Sequence, residues 1–150
     1  MAEPGFRSHA TIQRVPIHAM LVHFPIVCFV GALLCDVAYI RSDGQVQWTN
    51  FAQWLLAFGV GIGLIAAVFG LIDLFRTPRA DRPRAAYWHL GAAVVTVVLA
   101  LFNNFVHARD GWTGVVPTGI TLSVVTVLTL IVTGHLGGRL AYVHQRGAGR

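Results

Sequence analysis

Seven histidines, six carboxylates and two cysteines are the side chains of this 150-residue chain with most scope for chemistry. Neutral imidazole is the commonest metal ligand, and two imidazoles from different helices can hold a haem iron. His18 and His23 are five positions apart. That is about 140° around a helix, so both cannot point squarely at one centre. The spacing predicts His23 and His89 as an axial pair, with His18 or His144 as a supporting or propionate partner and His135 in reserve. Asp73 would orient His23 or His89, and Arg14, Arg84 and Arg139 would neutralise cofactor carboxylates. The other reading of the same residues is a polar network without a cofactor. Pro25 cannot donate to the carbonyl of Leu21, which a nearby histidine could then satisfy.

These residues must be positioned by helices that cross a membrane. Hydrophobic residues make up 55% of the chain and charged residues 11%, less than half the share of an ordinary soluble domain. Four uncharged runs, Val15–Cys35, Gly44–Ile72, Ala85–Ala108 and Gly111–Gly138, are 21, 29, 24 and 28 residues long. About 20 apolar residues suffice to span a bilayer as a helix. The chain therefore reads as an all-α integral membrane protein. Its spans are expected near 16–40, 49–75, 85–108 and 117–143, within a domain of residues 16–145 flanked by polar tails at 1–15 and 146–150. Connections this short make neighbouring helices antiparallel, in an up-down-up-down bundle.

An even number of spans leaves both termini on one side. That side collects nine arginines and the other only Arg41 and Arg109. The excess predicts cytoplasmic termini in a bacterial inner membrane. Five histidines and Asp73 then share the cytoplasmic half. His23 lies about 13 Å along the helix from Arg14, within the hydrocarbon layer, where an ionisable group normally faces the bundle interior. His107 and Asp36 fall in the outer half, with Asp36 expected to serve the helix end or Arg41. Trp48, Trp54, Tyr87, Trp88, Trp112 and Tyr142 suit an interfacial aromatic belt. Residues 17–75 faintly echo residues 85–143: each half opens with a histidine (His23, His89) and carries an Arg/Asp pair in its outer connection.

Other classes fit less well. Every basic residue is arginine and the arginines are scattered at the ends of apolar runs, so the net charge of +5 marks topology rather than a nucleic-acid surface. Cys28 and Cys35, seven apart on one helix, are about 10 Å apart and read as packing residues rather than a disulfide. The first run is long for a signal peptide and lacks a cleavage site, so the first helix is expected to be retained. No phosphate loop, no C-x-x-C-H haem attachment and no serine–histidine–carboxylate set can be argued from spacing. Gly59, Gly63, Ala66 and Gly70 form one small-residue face of the second span. It suits close helix packing, or else room for a macrocycle or quinone.

Residues Ile17-His18-Ala19-Met20-Leu21-Val22-His23-Phe24-Pro25 resemble the I-H-P-x-x-V-H-F-P signature of a bacterial membrane family, domain-of-unknown-function family 2231. Gly70-Leu71-Ile72-Asp73, His89 and the closing Gly137-Gly138-Arg139-Leu140-Ala141-Tyr142-Val143-His144 agree with it, over about residues 16–145. Ala19 replaces the family's proline and Gln145 the glycine after the last histidine. The resemblance implies His18, His23, Asp73, His89 and His144 as the residues of interest. Because some members look fused to Rieske-type or cytochrome c-type modules, it also implies respiratory redox chemistry.

The combined expectation is a redox or anchor subunit, not an enzyme by itself, holding a b-type haem or a single transition-metal ion. Its partners would be the lipid bilayer, a redox protein or quinone, and a second copy in a homodimer. The competing readings are a cofactor-free structural or assembly subunit, and a small transporter using His23, Asp73 and His89 as a relay.

Overall fold

The computed structural model describes residues 11–12, 15–109 and 114–148, of which residue 15 and residues 141–148 are described by backbone alone. A two-residue antiparallel ladder, β1 (Thr11–Ile12) with β2 (Val15–Pro16), leads into helix α1 (Ile17–Leu21). Helix α2 (His23–Arg41) follows after a single turn residue, Val22. The interruption has a local cause. Pro25 has no N–H for the carbonyl of Leu21, and its ring crowds that carbonyl. Together α1 and α2 make one 25-residue apolar span, Ile17–Arg41.

Three further spans complete the bundle: α3 (Val46–Arg76), α4 (Arg84–His107) and α5 (Ile120–Ala148) with the turn of π-helix at Val115–Gly119 that precedes it. The chain is an all-α membrane protein with four helices long and apolar enough to cross a bilayer. Helix α3 begins three residues before the expected 49, and α5 continues to Ala148, beyond the expected 143.

Each helix touches its two neighbours in a closed ring, α2 on α3, α3 on α4, α4 on α5 and α5 on α2. The pairs α2–α3 and α4–α5 are the intimate ones. The buried centre mixes small and large residues, Ala32, Ala52 and Ala100 with Phe29, Leu56 and Val60. A Cβ at Gly59 would come within 2.5 Å of Phe29 and 2.9 Å of Cys28, so α2 and α3 can approach there only because residue 59 is glycine. The outward faces carry Phe58, Trp54, Ile65, Trp88, Phe102, Phe105 and Ile131, all exposed, as lipid contact requires.

The connections are specific. Asp43 and Gly44 turn the chain at positive φ (54° and 81°), with Gly44 N–H donating to Tyr39. At the far end of α3, the Thr77 hydroxyl and N–H both donate to the Asp73 carbonyl, at 2.8 and 3.2 Å. Arg82 then folds back, donating to the carbonyls of Thr77 and Phe75 and lying over the Phe75 ring.

Candidate functional site at the two ends of the bundle

Polar side chains gather at both ends of the ring. At the end where α1 begins and α3 closes, His18 on α1 donates from Nδ1 to the carbonyl of Ala66 on α3, at 2.8 Å. His89 on α4 donates from Nδ1 to the carbonyl of Thr133 on α5, at 3.0 Å. A carbonyl can only accept, so Nδ1 bears the hydrogen in both rings; in the neutral form each Nε2 is then a lone pair. The two rings face one another edge to face, with centres 6.0 Å apart.

Each ring also rests on a glycine. A Cβ at Gly70 would lie 3.1 Å from His18 Nδ1, and one at Gly137 would lie 3.0 Å from His89 Cε1. The two constructions repeat: the accepting carbonyl and the glycine are four residues apart in both, Ala66 and Gly70 on α3, Thr133 and Gly137 on α5. The small-residue face of α3 is thus the surface that receives α1 and α2, from Phe29 on Gly59 through Pro25 beside Gly63 to His18 on Gly70.

This arrangement corrects the expected His23–His89 pair. His18 meets His89, while His23 is exposed and reaches only the Met20 carbonyl on its own turn, at 3.3 Å. The break at Val22 lies between the two histidines, with His18 turned inward and His23 outward. The reserve residue His135 is exposed, as are Arg84 and Arg139. Asp73 is buried, one turn beyond Gly70 on the same helix, whereas Arg76 is exposed. Arg14 and the side chain of His144 lie outside the described residues.

At the opposite end stands a network that spacing did not disclose. His107 Nε2 and Asp36 Oδ1 are 2.7 Å apart, and both side chains are essentially fully buried. His107 Nδ1 donates to the Asn103 carbonyl at 2.9 Å. The Asn103 amide donates to Ser123 Oγ at 2.7 Å, and the Ser123 hydroxyl donates to Asp36 Oδ2 at 2.5 Å. Asp36 therefore serves neither Arg41 nor the helix end; it joins α2 to α4 and α5. A serine, a histidine and a carboxylate do meet here, with the carboxylate between the other two. In that order the histidine does not touch the serine hydroxyl, so this is not the arrangement that activates a serine nucleophile. His107, too, packs on a glycine, with a Cβ at Gly119 falling 2.8 Å from its Cε1.

The two ends are related. His18 and His89 are 71 positions apart, and so are Asp36 and His107. In each contact one partner lies on the first span and the other on the third.

A family model described as "Predicted membrane protein (DUF2231)" matches residues 14–150. The chain belongs to the DUF2231 family. No curated protein and no solved structure matches it. The match contains every residue of both polar ends, so the two junctions lie wholly within the DUF2231 region. Among the described residues no three His, Cys, Asp or Glu side chains converge as a bare metal ion would require. Cys28 and Cys35 are both free thiols.

Proposed function

We propose that this DUF2231 protein is a membrane redox or anchor subunit in which His18 and His89 hold a b-type haem between them. The observation that carries the reading is the pairing of two imidazoles from different helices, with Nδ1 anchored on each and ring centres 6.0 Å apart. The second hydrogen bond on each ring is what fixes the orientation of ligating histidines generally. Gly70 and Gly137 let each ring lie directly against a helix backbone, which holds both imidazoles in place. Bound there, the haem would accept and release one electron at a time.

The protein's part is to orient both rings, through the Ala66 and Thr133 carbonyls. The arginine excess supports a cytoplasmic position for this end in a bacterial inner membrane, where a soluble redox protein or a quinone would exchange electrons with it. A dithionite-reduced minus oxidised spectrum of protein from a haem-replete host tests the reading. A sharp α-band is expected, lost in His18→Ala and in His89→Ala and retained in His23→Ala. A well-folded preparation with neither haem nor metal would leave His18 and His89 as a polar contact of a structural subunit.

A further inference from the structure

We propose that the buried junction of Asp36, His107 and Ser123 is a proton-exchange site: it binds one mobile proton and the water that carries that proton to and from bulk solvent. The inference is independent of the haem reading, since it concerns the other end of the bundle.

The hydrogen-bond directions require the proton. His107 Nδ1 must donate, because its partner is the Asn103 carbonyl. Ser123 receives the Asn103 amide and so spends its own hydrogen on Asp36 Oδ2. At 2.7 Å, His107 Nε2 and Asp36 Oδ1 must share one proton, held as imidazolium with carboxylate or as imidazole with carboxylic acid. The pair is neutral with that proton and singly negative without it. Exchange passes the proton to water and takes another back, with no other charge changing place.

The second observation points to water. Thr49 Oγ1, Asn103 Oδ1 and Thr126 Oγ1 are buried with no hydrogen-bond partner among the described residues. Their residues are at most 1% exposed, and they come from α3, α4 and α5. Asn103 belongs to the network itself through its amide nitrogen, so its orphaned oxygen is at the junction. Thr126 stands one turn from Ser123 along α5. Thr49 lies within a turn of the part of α3 level with Asp36, by the antiparallel register that sets Gly63 beside Pro25, Gly59 on Phe29 and Leu55 beside Gly31. Two hydroxyls and an amide oxygen near one carboxylate give a water the two to four polar partners that it needs when buried. Cys35 is the neighbouring titratable side chain on α2; the residues that α3 and α5 contribute, Thr49, Ser123 and Thr126, do not titrate near neutrality.

Full-length protein in lipid nanodiscs, labelled with ¹⁵N-histidine, tests the proposal by hydrogen–deuterium exchange of the shared proton, assigned with His107→Gln. The expected result is exchange at least about tenfold faster than that of the α4 backbone amides in the same sample. Thr49→Val and Thr126→Val, which preserve side-chain shape, should each slow it and lower the melting temperature, because each removes a water partner. Three outcomes overturn the proposal: a shared proton as protected as the α4 amides, exchange indifferent to both threonine variants, or threonine variants that melt higher than the parent. The last would mean that the hydroxyls were buried dry, where a methyl group is the better occupant.

Discussion

Asp36 and His107 touch at 2.7 Å across the bundle, from the first and third spans. Each is 18 residues beyond the histidine of its half, His18 or His89, and those two histidines also face one another. Eighteen residues of helix rise about 27 Å, close to the thickness of a bilayer's hydrocarbon core. The bundle therefore carries one facing pair at each end of its axis, and the two pairs differ in chemistry. Two imidazoles meet at one end; an imidazole and a carboxylate meet at the other.

The direct contact of Asp36 with His107 makes an exchange of the two a sharp test. Asp36→Asn or His107→Gln alone should cost about 3–5 kcal/mol, because each strands a buried polar partner. The double exchange, Asp36→His with His107→Asp, keeps one acid and one base astride the axis. It should recover most of the loss, read by chemical denaturation in detergent. A double variant as unstable as the sum of the single ones would mean that the local surroundings, Asn103 and Ser123 above all, fix which side carries the acid.

Much of this architecture was readable from residue types. The lengths of the uncharged runs fix four spans, and Pro25 locates the break between α1 and α2. The choice of His18 over His23 was not readable, because depth favoured His23 while only the rotation of α1 against α3 decides which face turns inward. The Asp36–His107 junction was missed for a different reason. Each residue by itself looks like a helix-end group, and their association depends on contact between α2 and α4 across the ring. One signal was present: both interrupt apolar surroundings, and their separation equals that of His18 and His89.

Asp73 offers a test at the terminal end. Paired with Arg76 at the surface it would contribute at most about 1 kcal/mol. Its side chain is instead buried while Arg76 is exposed. Asp73→Asn should therefore cost about 1–3 kcal/mol, the range for disturbing a buried polar group. A loss under about 1 kcal/mol in equilibrium unfolding would return Asp73 to the role of a rim charge.

The orientation proposed from the nine-to-two arginine split is tested by fusion. Alkaline phosphatase joined after Arg150 should be inactive, and inserted within Ser42–Val46 it should be active. The reverse pattern would put the His18–His89 pair on the outer side, and the Asp36–His107 junction would then face the cytoplasm.

The glycines under the histidines give the most graded test. At Gly70 and Gly137 an added Cβ would crowd His18 and His89 at 3.1 and 3.0 Å, so alanine must push each ring by a few tenths of an ångström. The displaced ring would lose alignment with its carbonyl, Ala66 or Thr133. Gly70→Ala and Gly137→Ala should each cost about 1–3 kcal/mol, as overpacking does. Gly59→Ala should stand at the upper end of that range or beyond, since its Cβ would fall 2.5 Å from the Phe29 ring. Gly61, Gly91 and Gly134 have nothing within 4 Å of an added Cβ. Alanine at those three should be neutral or stabilising by up to about 1 kcal/mol, the difference in helix preference. Thermal melts of all six variants in one detergent check the ranking. If Gly70→Ala and Gly137→Ala melt with the three open positions, the rings are not held against these glycines. If they melt lower and also shift any haem spectrum, while Gly59→Ala lowers stability alone, the glycines under His18 and His89 position the ligands as well as the helices.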